Sequence, residues 1–241
     1  RGEETGRPAW VPFVGAHGGK LIGQTADAYL RSADLLVEGL LKAESLYKPD
    51  GLPVVFDLQV EAEVLGCRLH WADDVPPAVT THPLTKVGIE TLPALDETSG
   101  RFPMIIDVLT RLNKKIGDHV ALYGLICGPF TLALHLLGND IFLMMFDQPE
   151  KVNSIIDYCA DVAVRSASIY LKHGASVIAV VDPMTSQISP EHFREFVTPG
   201  VDKVFDFIRK EGGLSSMFVC GDASRNLEAM CMTRCDNLSV D

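Results

Sequence analysis

The chain has 241 residues, of which 47% are hydrophobic and 22% charged, enough apolar side chains to build one sizeable core. Its formal net charge of −11 argues against nucleic acid as a partner, because a negative surface repels phosphate backbones. We find no signal peptide, and no apolar run that predicts a membrane span. These properties predict a cytoplasmic protein; a small-molecule substrate could bind in a locally basic pocket, and a basic protein partner stays open.

The cysteines are too sparse for the disulfide scaffold of a small secreted domain. We therefore predict six reduced thiols, most of them buried as small hydrophobic side chains. Because the sequence begins at Arg1 without Met, we also expect the native N-terminus to be missing. The six are Cys67, Cys127, Cys159, Cys220, Cys231 and Cys235.

In chain order, short apolar runs alternate with amphipathic segments. Apolar runs predict strands over residues 9–15, 51–56, 120–127, 177–181, 214–219 and 238–240. Helical periodicity predicts helices over 25–47, 104–116, 131–137, 147–173, 190–208 and 226–232. Thr25 and Asp147 are the predicted N-caps, Gly174 a stop and Pro199 a kink. Residues 67–103 form an irregular excursion in which we expect edge strands.

Strands that are apolar throughout and separated by helices predict a parallel sheet, either closed as a barrel or open and doubly wound. Residues 15–19 are Gly-rich but lack the spacing of a dinucleotide fingerprint, which disfavours the open fold. We therefore predict an α/β protein with a (β/α)8 TIM barrel in one domain over residues 1–241. Since we recognise about six strands, we expect the C-terminal strands to be absent from this chain.

Ligands of β/α barrels bind where the strands end, so residues that follow the predicted strands are the candidate site. Asp57 follows a strand, and it could equally serve as an N-cap. Asp182 precedes Pro183, which disfavours a helix there and predicts a carboxylate on an exposed turn at the rim. Cys220 ends a strand, although a lone cysteine is more often a buried thiol. Asp57, Asp182 and Cys220 are the catalytic candidates.

Five further residues are candidates for substrate contact. His17 follows the first apolar run, Gly128 and Phe130 lie in a Gly-Pro turn, and Asp222 follows Cys220. His135 lies one turn into the helix after the Gly-Pro turn, where a lone histidine is more often a packed residue.

Several stretches, in this order, resemble the uroporphyrinogen decarboxylase superfamily. This superfamily also contains cobalamin-dependent methyltransferases that pass a methyl group from a methylated corrinoid to coenzyme M. The resemblance implies a (β/α)8 barrel whose last strand–helix units lie beyond residue 241. The similar stretches are residues 55–57 with 61–67, 128–132, 182–183 with 188–191, and 220–222 through 238–241.

The resemblance implies different site residues in its two branches. Decarboxylases of the superfamily carry an Arg-Gln-Ala-Gly-Arg motif whose arginines pair with substrate carboxylates. Here residues 13–20 contain neither arginine, and His135 replaces a decarboxylase Tyr. Only Asp57 matches, at the position that contacts pyrrole nitrogens. Without the arginines, a pocket for a carboxylated tetrapyrrole would leave charge unpaired.

The methyltransferase branch binds zinc through a His-x-Cys pair and a later Cys, and zinc holds the substrate thiol as a thiolate. Cys220 matches the first of these cysteines, but Phe218 occupies the histidine position and cannot bind metal. We predict His17 as the substitute, so that Cys220 and His17 are the candidate zinc ligands.

The resemblance favours a methyltransferase-like enzyme that transfers a methyl group from a corrinoid on a partner protein to a thiol or similar acceptor. Two alternatives stay open. One is decarboxylation of a tetrapyrrole or a smaller carboxylic acid, with Asp57 as electrostatic anchor. The other is a non-catalytic tetrapyrrole-binding module, which Phe218 favours. We expect no nucleic-acid or membrane partner, and a homodimer stays open.

Overall fold

The computed structural model describes residues 6–240. Five parallel strands form the main sheet in the order β1-β4-β5-β6-β7, and β2 and β3 form a separate antiparallel pair. The strands are β1 (Gly51–Pro53), β2 (Leu69–His70), β3 (Ala78–Val79), β4 (Ala121–Cys127), β5 (Val177–Val181), β6 (Leu214–Val219) and β7 (Asn237–Val240).

Helices connect the strands of the main sheet. Thr25, Ser32 and Ser189 cap helices with their side chains, each accepting a hydrogen bond from a backbone N–H three residues on. The helices are α1 (His17–Lys20), α2 (Ala26–Leu30), α3 (Ala33–Tyr47), α4 (Val60–Val64), α5 (Phe102–Ile116), α6 (Pro129–Leu137), α7 (Ile141–Asp147), α8 (Pro149–Lys172), α9 (Pro190–His192), α10 (Thr198–Lys210) and α11 (Leu227–Cys231), with a π-helical turn at Phe193–Val197.

The two faces of the sheet are covered differently. The main core lies between the sheet and helices such as α5, α8 and α10. On the other face Leu125, Ala179, Val181 and Phe218 form a second apolar cluster to which no helix of the described chain contributes. Helices on one face only are the arrangement of a barrel wall, whereas a doubly wound sheet carries them on both faces. The structure therefore confirms an α/β half-barrel, and closure with eight strands stays a prediction.

Three of the predicted elements are wrong. Residues 9–15 form no strand, since Pro8 and Pro12 lack the N–H that a sheet ladder needs. The predicted 25–47 helix is two helices, because Ser32 starts a second one. Asp147 is no N-cap, since it ends the unpredicted helix α7 and α8 starts after Gln148.

Other predicted boundaries agree with the structure. Gly174, which has a φ of 100°, follows the C-cap of α8, as predicted for the residue that stops this helix. The backbone departs from α-helical geometry in the π-helical turn just before Pro199, where we predicted a kink. The excursion at 67–103 does contain strands, the β2–β3 pair.

One helical stretch of the described residues, Pro129–Asp147, is long and apolar enough to cross a membrane, contrary to our expectation from the sequence. However, 56% of its apolar window is buried inside the protein. Core helices of soluble proteins pass the same test, and Gly138, at φ 73°, interrupts the stretch between α6 and α7. It is therefore weak evidence for a membrane span.

Candidate active site at the strand ends

Aromatic rings surround the carboxyl end of β6 on the face of the sheet without helices. The ring of Phe218 lies 4.7 Å from that of Phe13, which in turn lies 5.5 Å from Phe56. Cys220 is half-buried and packs against the same cluster. Because Phe56 immediately precedes Asp57, the ends of β1 and β6 meet at one rim. The structure thus packs residues flanking Asp57 and the Cys220 side chain against one apolar cluster, and a shared site of the two side chains stays a prediction.

Two cavities open on this face of the sheet, at different positions along the strands. A cavity of about 310 Å³ lies beside the aromatic cluster and is lined in part by Phe13, Tyr123 and Ser216. A larger one of about 470 Å³ lies at the amino ends of the strands, near Val177 and Leu214. The smaller of the two also reaches only the third residue of β6 and the first residues of β7, so neither lies at the carboxyl ends, where barrel enzymes bind ligands. A third cavity of about 100 Å³, lined in part by Asp222 and Val240, lies at the carboxyl end of β6 and is the better candidate for part of the site.

Asp57 is held in a buried ion-pair network that the sequence did not predict. Its carboxylate accepts hydrogen bonds from Arg101 Nη1 at 2.6 Å and from the Gln59 backbone N–H at 2.9 Å. Arg101 also donates from Nε to Glu63 at 2.7 Å, and its guanidinium lies 5.0 Å above the Trp71 ring. Burial raises the pKa of Asp57, and Arg101 opposes that rise. The N-cap role considered for Asp57 is wrong, because α4 begins after Gln59 without a side-chain cap and the Gln59 bond is a turn contact before the helix.

Asp182 lies beneath the rim, fully buried, so the predicted exposed turn is wrong. Its carboxylate accepts hydrogen bonds from the backbone N–H groups of Phe130 and Thr131 at 3.2 and 2.8 Å, and from the Thr131 hydroxyl at 2.6 Å. Burial raises its pKa to about 6, although these bonds oppose the rise. Asp182 therefore anchors the start of α6 to the end of β5, where free helical N–H groups favour an acceptor.

Gly128 makes this contact between β5 and α6 achievable. A Cβ atom at position 128 would lie 2.3 Å from the Asp182 side chain, closer than real contacts allow. The neighbouring Phe130 side chain is fully buried in the core. For both predicted substrate-binding residues the structure therefore shows a packing role, and substrate contact stays a prediction.

The remaining predicted residues are dispersed around the rim. His17 is exposed, and its Nε2 lies 2.7 Å from the Tyr47 hydroxyl, with the two rings stacked. Asp222 is exposed and accepts a hydrogen bond from the Ser224 backbone N–H. His135 is largely buried. Burial lowers its pKa to about 4, and its Nε2 has no hydrogen-bond partner among residues 6–240.

Glu61 is a buried carboxyl that the sequence analysis did not single out. It lies on α4, one turn after Asp57, with 1% of its surface exposed. Burial raises its pKa to about 7, and hydrogen bonds from backbone groups that include Cys127 oppose the rise. Glu61 and Glu63 are two residues apart on one short helix, so they face different surroundings, and only Glu63 contacts Arg101.

The raised pKa of Glu61 predicts a specific pH dependence of stability. The unfolded chain loses the Glu61 proton near pH 4.5 and the folded chain near pH 7, so rising pH favours unfolding across that interval. We subtract the free energy of unfolding of the wild type from that of Glu61→Gln. This difference should rise by about 2 kcal/mol from pH 5 to pH 8. Urea unfolding of both proteins at the two pH values measures this difference, in which contributions from Asp182 and His135 cancel. If the difference in free energy of unfolding is the same at both pH values, the pKa of Glu61 is not raised in the folded protein.

The donors needed for the predicted zinc site are not assembled among residues 6–240. This part of the chain contains no group of three or more His, Cys, Asp or Glu side chains that could hold a metal ion. The Phe218 side chain stands at the position of the expected histidine, packed on Phe13. The Nε2 atom of His17 is engaged by Tyr47. Only Cys220 fits, so these residues do not provide the zinc site that the resemblance implies.

A sequence model described as Uroporphyrinogen decarboxylase (URO-D) matches residues 1–241, the whole chain. The chain belongs to the uroporphyrinogen decarboxylase family. The family resemblance drawn from the motifs is therefore confirmed.

Relatives of this family member have two kinds of activity. A methylcobamide:CoM methyltransferase of Methanosarcina acetivorans is 29% identical over 80% of this chain and 58% of its own length. A methylated-thiol–coenzyme M methyltransferase of Methanosarcina mazei is 32% identical over 77% of this chain and 51% of its own length. A uroporphyrinogen decarboxylase of Prochlorococcus marinus is 26% identical over all of this chain and 73% of its own length. This family member thus spans little more than half of the methyltransferases that it matches.

Among solved structures, a methyltransferase from Methanosarcina mazei matches 99% of this family member and 72% of its own chain. The TM-score is 0.87 at 22% sequence identity. At that identity the likeness establishes the fold, and it agrees with the parallel half-barrel described above.

Proposed function

We propose that this protein is a methyltransferase that moves a methyl group from a methylated corrinoid, carried by a partner protein, to a thiol or similar small acceptor. The observation that carries the proposal is the state of Asp57. Its side chain has no exposed surface and pairs with Arg101 at 2.6 Å. The anchor that a decarboxylase would present to pyrrole nitrogens is thus buried and already paired with a cation, whereas Cys220 is only half-buried.

Each candidate residue has a role in this proposal. The corrinoid would supply an electrophilic methyl group: its cobalt–carbon bond would break as the sulfur–carbon bond forms, cobalt would keep the electron pair, and the thiol proton would pass to solvent. Cys220 contacts the acceptor, while Asp57 and Asp182 fix the loops after β1 and β5 from beneath. His17 and Asp222, which are exposed, belong to the wall around the acceptor, and Gly128, Phe130 and His135 support that wall from behind. We also propose a cytoplasmic location.

Decarboxylation of a carboxylic acid is the second candidate. It is supported by the Prochlorococcus decarboxylase, whose similarity extends over the whole chain, and by the match of Asp57. It is opposed by the absence of arginine from residues 13–20, because a carboxylate-rich substrate needs cationic partners at the rim.

Both reactions can be tested side by side on the full-length protein. One assay supplies methylcobalamin carrying a deuterated methyl group together with coenzyme M, and the other supplies uroporphyrinogen. We expect deuterated methyl-coenzyme M by mass spectrometry and no loss of carboxyl groups from the tetrapyrrole. Decarboxylation without methyl transfer would overturn the proposal in favour of the second candidate. Tight tetrapyrrole binding with neither product would indicate a binding module.

A further inference from the structure

Phe218 and Cys220 keep the geometry of a ligand pair although one of them cannot bind metal. They are two residues apart at the end of β6, and both pack against the cluster that includes Leu125 and Val181. Side chains at i and i+2 of a strand point to the same face. The backbone therefore presents position 218 beside the Cys220 thiol, where a His-x-Cys site would place its histidine.

The phenyl ring of Phe218, which has no metal-binding atom, occupies that position. Phe218 is 9% exposed, and its ring lies against Phe13 at a centroid distance of 4.7 Å. Phe13 packs in turn edge-to-face on Phe56. Packed aromatic pairs of this kind stabilise the fold beyond the burial of their surface, so the ring is held where it is. The wall beside Cys220 is thus apolar and offers no lone pair to a cation.

The two buried carboxylates after β1 and β5 cannot serve as replacement ligands without losing their present partners. Both carboxylate oxygens of Asp57 accept hydrogen bonds, from Gln59 and from Arg101. Both oxygens of Asp182 also accept hydrogen bonds, from groups of Phe130 and Thr131. A metal would have to displace these donors from buried positions, leaving them unsatisfied.

We propose that Cys220 in this protein is not a zinc ligand, and that Phe218 is the residue that excludes the metal. The proposal concerns the same site as the proposed methyl transfer and deepens it, because the acceptor must then react without a zinc ion held by Cys220. Its test measures zinc affinity in the absence of a methyl donor. Failure of the methyltransferase assay and failure of this inference are therefore separate results.

The experiment measures zinc binding to the metal-stripped, full-length protein by competition with a chromophoric chelator. Four proteins are compared: the wild type, Cys220→Ser, Phe218→His and the double variant. We expect the wild type and Cys220→Ser to bind zinc equally. Phe218→His should bind at least about tenfold more tightly than the wild type, a gain of about 1.4 kcal/mol. Cys220→Ser should remove that gain in the double variant, because His and Cys would bind together.

Two results would overturn the inference. Zinc affinity of the wild type that falls at least about tenfold in Cys220→Ser would make Cys220 a zinc ligand despite Phe218. Phe218→His that is folded and gains no affinity would show that Phe218 is not what excludes the metal. If Phe218→His does not fold, the comparison of the wild type with Cys220→Ser still decides the first point.

Discussion

Cys220→Ala is expected to lower kcat/KM for thiol methylation by about 100-fold, a loss of about 2.7 kcal/mol of transition-state stabilisation. The reason is the position of Cys220. Among the six cysteines, all of which lie within residues 6–240, it is the one that directly follows a strand of the main sheet and is also partly exposed at the candidate rim. Steady-state kinetics with methylcobalamin and coenzyme M measures the effect. Uroporphyrinogen decarboxylation, if present at all, should be unaffected, because that reaction needs no thiol.

Cys231 provides the matched control for this prediction. It is also a reduced cysteine, but it is exposed at the end of α11. Cys231→Ala should leave the methylation rate within about twofold of the wild type, as expected for a surface substitution. Equal effects of the two substitutions would remove Cys220 from the site.

Arg101→Met should cause the largest loss of stability among the variants considered, about 3–5 kcal/mol. The Arg101 side chain is 11% exposed and that of Asp57 is fully buried, so removal of the guanidinium leaves a carboxylate without its partner. The variant also loses the contact with Glu63 and the cation–π contact with Trp71. Urea unfolding at pH 7 measures the change in free energy of unfolding.

Two controls separate burial of charge from loss of side-chain bulk. Arg111 also lies on α5 and pairs with Asp34 and Asp107, but it is 35% exposed, so Arg111→Met should cost less than about 1 kcal/mol. Adding Asp57→Asn to Arg101→Met should recover a large part of the loss, because the only carboxylate that then lacks Arg101 is that of Glu63, which is 33% exposed to water. An Arg101 variant as mild as the Arg111 variant would mean that the ion pair is not important for stability.

Much of the fold follows from local patterns in the sequence. Apolar runs at residues 120–127, 177–181 and 214–219 predicted β4, β5 and β6, since strands buried on both faces must be apolar throughout. The order of strand ends then predicted that the segments after β1 and β6 share a rim, and the aromatic contacts of Phe13 with Phe56 and Phe218 confirm it. Residues 9–15 were wrongly predicted to be a strand because their apolar character outweighed Pro12 in the interpretation. A proline lacks the N–H that a sheet ladder needs.

The details of the site depend on contacts between residues far apart in the chain. Arg101 lies 44 residues after Asp57, at the end of an irregular segment, so no periodicity connects them. Pro183 correctly indicated that Asp182 itself is not helical, but the sequence could not show that α6 begins over its carboxylate and buries it. Phe218 was recognised as a missing ligand, whereas its packing on Phe13 emerged only from the structure.

The most direct test of a site at the strand ends is protection of Cys220 from alkylation. The full-length protein is treated with iodoacetamide, with and without methylcobalamin and coenzyme M, and labelling of each cysteine is followed by mass spectrometry. We predict that the ligands slow alkylation of Cys220 and leave that of exposed Cys231 unchanged. Alkylation of Cys220 at the same rate while the protein binds or turns over these ligands would contradict a site at this rim.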